Sequence, residues 1–315
     1  MSMSANPVLL FLYRAAIALA DTWSCFFPSR RCLPAPREVD IDAETDEQLL
    51  ARCKSVSDEQ WSPFSSWDKC AVRLSPDVVG KLVTCSDTGW SPEAQAQELV
   101  RNQTNIPVPA VRRVLPMDDL CVLVMDYIPG RTLSTVWHTM SIWKKISTAV
   151  TLRRYVRELR SIRHPRDDIP GPLGEGREPL PCISSVLFTA VERGPFPSQH
   201  DFIQFFNTAK EKAAWPGSVA PALPSRNEAG PLVFSHVDFV MRNLMVGDDG
   251  QLWLIDFGQA GFYPPWFEFV NMLGDQFVGA QDQECDAVWR ALIPFICDPY
   301  IELYNWIVTI PPPCL

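Results

Sequence analysis

The chain has 315 residues, enough for one large domain or two lobes around a cleft, and 47% hydrophobic with 21% charged residues is the balance of a globular protein with a substantial core. Its 28 basic residues against 37 acidic give a formal charge of −9, and no basic run is long enough to follow a phosphate backbone, so nucleic acid is excluded as a partner. Ten cysteines are scattered without any CxxC pair, which speaks against zinc-ribbon and thioredoxin-like chemistry and predicts reduced thiols in a cytoplasmic protein.

Residues 8–20 are apolar apart from Arg14 and too few for a comfortable membrane span. They read as a packed or membrane-surface helix, with membrane-surface contact through this stretch as an expectation and a cleaved signal, for which Ala18-Leu19-Ala20 would be the cleavage site, as the alternative. Pro28, Pro34 and Pro36 followed by Asp40, Asp42, Glu44 and Asp46 read as a linker, so residues 1–40 form an N-terminal helix and Pro-rich segment. Thr45 and Gln48 have the spacing of a capping box, which starts a helix carrying Leu49, Leu50 and Cys53. Residues 70–84 read as two strands around a Ser75-Pro76-Asp77 turn. Ser91-Pro92 opens a helix over 93–101, and strands follow at 114–115 and 120–125.

Beyond Gly130 the pattern becomes helical. Ile142, Ile146, Ala149, Leu152, Val156, Leu159 and Ile162 recur at three- and four-residue steps and predict one long amphipathic helix. Residues 164–198 are rich in proline, and a loop of that length is usually functional or unstructured. Further helices are expected over 201–215, 266–276 and 285–307, the last broken near Pro294 and Pro299. The architecture expected is α+β and two-lobed: a β-rich N-lobe over 41–128 and a helical C-lobe over 129–315 that holds a catalytic segment at 234–258.

That segment carries the strongest signal. His236, Asp238 and Asn243 fit the His-x-Asp-x4-Asn pattern of kinase catalytic loops. Two apolar runs, 244–246 and 252–255, flank Asp249-Gly250 and predict a hairpin that returns Asp256 beside Asn243. Phosphoryl transfer asks a protein chiefly for positioning and charge neutralisation, and Mg²⁺ takes carboxylate and amide oxygens. Asp256 and Asn243 are therefore the expected metal ligands, Asp238 the base that accepts the proton of an attacking hydroxyl, and His236 an orienting group of the loop. Lys81, in an apolar strand, needs a partner for its ammonium, and Glu93 at the start of the next helix can supply it. Lys81 is then left aimed at the nucleotide phosphates.

Together with 80–82, 105–109, 124–130 and 262–268, these motifs resemble the aminoglycoside phosphotransferase/choline kinase-like family, in its fungal form, over roughly residues 70–275. The resemblance implies a protein-kinase-like fold, ATP or GTP as phosphoryl donor with Mg²⁺, Asp126 and Ile128 offering backbone groups to the adenine, and a small-molecule hydroxyl as acceptor. Three positions depart from that family. Val237 stands where glycine is usual and Phe239 where leucine is usual, and no glycine-rich loop is evident between Cys53 and Cys70. A degraded, non-catalytic kinase fold is the alternative these departures keep open. A protein kinase fits less well, because Tyr263-Pro264-Pro265 follows Asp256 too closely for an activation loop. Trp266 and Glu268, an aromatic face beside a carboxylate in an acidic chain, suggest a cationic acceptor, the alternative being that Trp266 is core and Glu268 braces the catalytic loop.

Overall fold

The computed structural model describes residues 6–26, 43–57, 71–117, 120–163, 169–176, 178–184, 186–188, 191–214, 230–278 and 286–311. In chain order the elements are α1 (Pro7–Phe26), α2 (Asp46–Ser57), β1 (Ala71–Ser75), β2 (Val78–Thr84), α3 (Pro92–Gln103), β3 (Val111–Met117), β4 (Leu120–Asp126), β5 (Gly130–Thr132), α4 (Leu133–Trp137) and α5 (Ile142–Ser161). There follow α6 (Gln199–Ala213), β6 (Val233–Ser235), β7 (Leu244–Gly247), β8 (Leu252–Leu254), β9 (Gly261–Tyr263), α7 (Trp266–Val278), α8 (Ala287–Cys297) and α9 (Ile301–Ile307). Most of the 28–46 linker and the stretch between Cys53 and Cys70 past residue 57 lie outside the described residues.

Two compact units form, one of Arg30–Arg131 with Met245–Gly258, the other of Met1–Ser29, Thr132–Leu244 and Gln259–Leu315. The division departs from the expected one at two places. The apolar N-terminal helix belongs with the helical unit, and the segment 245–258 belongs with the strands.

The small unit is an antiparallel sheet in the order β1-β2-β4-β3. Its register sets Lys81 opposite Leu123 and Ala71 opposite Lys81. One face of the sheet buries Val72, Leu74, Val78, Val122 and Val124 against Leu49 and Cys53 of α2. That helix begins with the reciprocal cap its sequence predicts: the Gln48 N–H donates to Thr45 Oγ1 at 3.3 Å and the Thr45 N–H to Gln48 Oε1 at 2.8 Å. On α3, Ser91 accepts from the Ala94 N–H at 3.4 Å, and Pro92 stands in the first turn, where its missing N–H costs nothing. Pro116 is tolerated because β3 is an edge strand. Cys85 and Cys121 are joined as a disulfide with their Cα atoms 5.9 Å apart, which corrects the expectation of thiols reduced throughout. They are 36 residues apart in sequence, and only the pairing of β2 with β4 makes them neighbours.

The helical unit is built around α5, α7 and α8. The buried face of α5 is Ala149, Leu152, Tyr155, Val156 and Leu159, whereas Ile142 and Ile146, expected on the same stripe, are exposed. The last helical stretch breaks at 298–300, the position of Pro299, while Pro294 is accommodated inside α8. Arg153, only 5% exposed, ties three elements together. It bonds both carboxylate oxygens of Asp21 on α1, Asp298 Oδ1, and the Phe295 carbonyl of α8. A buried guanidinium with this many acceptors is satisfied, and α1 is anchored to the unit by it.

Candidate active site

Three of the expected residues meet in the small unit. Lys81 Nζ lies 2.7 Å from Glu93 Oε1 and 2.8 Å from Asp256 Oδ1. The sheet supplies Lys81, α3 supplies Glu93 from its first turn, and Asp256 follows β8. The hairpin that delivers Asp256 closes through Gly247 N–H to Gln251 O at 2.9 Å, with Gly250 at φ 79° in the turn. Burial alone would lower the Lys81 pKa, but the carboxylates of Glu93 and Asp256 more than offset it and hold the ammonium charged. Lys81 and Glu93 side chains are 16% and 9% exposed, whereas Asp256 is 43% exposed and presents its carboxylate to solvent. Gly258 permits this closeness: a Cβ there would stand 3.3 Å from Glu93 Oε2.

The other expected residues meet in the helical unit. Asp238 is held from two sides. Arg242 Nη2 donates to its Oδ1 at 2.6 Å, and Asn243 Nδ2 to its Oδ2 at 2.8 Å and to its carbonyl at 3.0 Å. With the amide nitrogen so committed, the carbonyl oxygen is the ligand atom Asn243 can offer a metal. The carbonyl of Asn243 in the helical unit and the exposed carboxylate of Asp256 in the small unit are each a hard oxygen donor of the kind Mg²⁺ takes. His236 is fully buried, with its ring 5.9 Å from Phe239 in an edge-to-face contact.

Glu268 takes the bracing place of the two its sequence allowed. It is 2% exposed, and its carboxylate accepts the His236 N–H at 2.6 Å and the Val237 N–H at 3.0 Å. Trp266 is fully buried. The pair is therefore core and brace rather than an aromatic and acidic anchor for an acceptor. Burial pushes the Glu268 pKa up to about 7, against the lowering effect of the two N–H bonds and of Arg160. Val237 itself sits at φ 69°, the left-handed region that a β-branched residue adopts only under strain. The same turn explains why glycine suits this position, and the Glu268 clasp helps hold valine in it.

Asp126 also differs in detail from expectation. Its N–H donates to the Ala110 carbonyl at 3.0 Å, and its side chain is paired with Arg112 Nη2 at 2.5 Å. A cavity of about 650 Å³ lies along Asp126, Ile128, Arg112 and Trp253, and neither Lys81 nor Asp256 lines it. The role of Arg242 was missed in the sequence, although its four-residue spacing from Asp238 could have found it.

A strand lysine clasped by a helix carboxylate and an exposed aspartate, with a separate Asp/Asn loop, is the equipment of kinase-like phosphotransferases. The chain belongs to the phosphotransferase enzyme family, which it matches over residues 90–294. Its fold is the two-lobed, α+β, protein-kinase-like one of that family, with a small β-rich lobe and a larger helical lobe. No curated protein matches the chain. Among solved structures, a gentamicin complex of APH(2'')-IIa is 19% identical over 85% of each chain, with a TM-score of 0.45. APH(3'')-Id from Streptomyces rimosus, in complex with ADP and streptomycin, is 14% identical over 85% of this chain and 99% of its own, with a TM-score of 0.42.

Proposed function

We propose that this phosphotransferase moves the γ-phosphoryl of ATP, or of GTP, to a hydroxyl of a small molecule. The observation that carries the reading is the clasp of Lys81 between Glu93 and Asp256, at 2.7 and 2.8 Å. Such a buried charged cluster adds little to stability for its desolvation cost, but it holds a cation ready for phosphate oxygens. A bound Mg²⁺ would neutralise charge on the β- and γ-phosphates, held by Asp256 and Asn243. Lys81 positions the α- and β-phosphates. Of the Asp126 backbone groups only the carbonyl suits an adenine edge, because the N–H is committed to Ala110, and Ile128 supplies the amide.

Asp238 takes the proton of the acceptor hydroxyl as that oxygen attacks. Arg242 and Asn243 fix its carboxylate in place. His236 and Glu268 do no chemistry on the substrate and set the shape of the loop. With Glu268 buried, only the acidic balance of the chain favours a cationic acceptor. The direct test is nucleotide consumption by the purified protein with Mg²⁺ against amino alcohols, sugars and aminoglycosides. Turnover dependent on one acceptor supports the reading. Nucleotide binding without turnover on any of them would favour a non-catalytic nucleotide-binding protein.

A further inference from the structure

The first helix is anchored on one side and uncovered on the other. Tyr13 Oη donates to the Ala291 carbonyl at 2.7 Å, and Asp21 is clasped by Arg153. These residues lie on one face of α1. On the opposite face Val8, Phe11, Leu12 and Leu19 are 66%, 69%, 57% and 73% exposed, at helical spacing. Lys145 meets Asp286 at the start of α8 and Arg153 meets Phe295 near its end, so α5 and α8 run in the same direction. Tyr13 to Ala291 and Asp21 to Arg153 set α1 alongside them in that direction too. The uncovered start of α1 therefore lies at the same end of the unit as the start of α5. There Ile142, Trp143 and Ile146 are 52%, 77% and 40% exposed. These seven side chains hold most of the large apolar surface exposed by the described residues.

We propose that this face docks on the surface of a bilayer containing anionic phospholipid. Three features select that occupant. The exposed charges nearest in sequence to the apolar side chains, Arg14 and Lys144, are basic in a chain of net charge −9. The one acid of α1, Asp21, is turned inward and neutralised by Arg153 and Arg157. Exposed Trp143 and Phe11 are the side chains that settle at the headgroup level. A second copy is disfavoured, because a two-fold contact would bring the same basic flanks against each other. The depth of contact is limited by the anchored face: Tyr13 and Asp21 keep α1 on the helical unit, so it lies in the interface plane. Among the described residues no helix is long and apolar enough to cross a membrane.

The test is sedimentation of the full chain with vesicles of phosphatidylcholine, alone or with about a third phosphatidylserine. Binding is expected to the anionic vesicles, weaker to the neutral ones and reduced by salt. Phe11→Ser with Leu12→Ser should lower partition at least about tenfold, and Trp143→Ser should lower it less. Arg14→Glu with Lys144→Glu should abolish the preference for anionic lipid. Unchanged melting temperatures in all three variants show that the fold is intact, since every altered side chain is exposed. Failure to bind either vesicle overturns the proposal, as does undiminished binding by the Phe11/Leu12 variant. A dimer in sedimentation velocity that this variant dissolves, without vesicle binding, would assign the face to self-association instead.

Discussion

Lys81 and Glu268 are both buried ionisable groups, one in each unit, and they are satisfied in different currencies. Lys81 meets two carboxylates, one of them exposed to solvent. Glu268 meets two backbone N–H groups and is sealed from water. The first arrangement keeps a charge where phosphates would come and leaves Asp256 accessible. The second turns its acceptor oxygens on the main chain and fixes the conformation of a loop. The small unit thus supplies electrostatics and the helical unit loop geometry.

The comparison is broken most severely at the two aspartates. Asp238→Ala should depress turnover by about two to four orders of magnitude, with Mg·ATP affinity near that of the unaltered protein, because it acts on the acceptor. Asp256→Ala should lose turnover and also weaken Mg²⁺-dependent nucleotide binding. Calorimetric titration of both variants separates the roles, and equal loss of nucleotide affinity in the two would sink the assignment.

Next in size is the clasp itself. Lys81→Met leaves Glu93 buried without its cation and should cost on the order of 3 kcal/mol in denaturant unfolding. The double variant Lys81→Met with Glu93→Met should recover much of that loss, since no charge is then stranded. Additive losses in the double-mutant cycle would show that the pair is not coupled.

Glu268→Gln sharpens the contrast. As a brace, it should lower turnover more than it raises the Michaelis constant of the acceptor, the opposite of what an acceptor-binding carboxylate would do. Its pH signature has a definite sign. The folded pKa, about 7, lies above the ordinary value of 4.5. Between these the native state holds a proton that the unfolded state has lost, so this group's contribution is complete below pH 4.5 and declines as pH rises through 7. The unaltered protein should thus lose on the order of 3 kcal/mol relative to Glu268→Gln across that window. Parallel stability–pH curves for the two proteins would contradict it.

The smallest effect expected is at Val237. Replacement by glycine relieves the left-handed strain and should raise stability by about 1 kcal/mol, read as a higher denaturant midpoint. A lower midpoint would mean that the valine side chain's burial outweighs the strain.

Much of this was legible in the residues themselves. Hairpin 244–254, the cap at Thr45 and the helix opened by Ser91-Pro92 rest on local chemistry, which acts within a few residues of its cause. Motif order alone placed Lys81, Glu93, Asp238, Asn243 and Asp256 among the site candidates, because each residue type is tied to a chemical need. Four features needed the tertiary structure. The Cys85–Cys121 bond depends on strand register. Burial of Glu268 and Trp266 depends on what packs over the start of α7, which periodicity cannot report. The positive φ of Val237 comes from the loop and not from the side chain, whose own preference opposes it. Ile142 and Ile146 continue an apolar stripe whose covering ends before it does, and only the packed neighbours of α5 decide where.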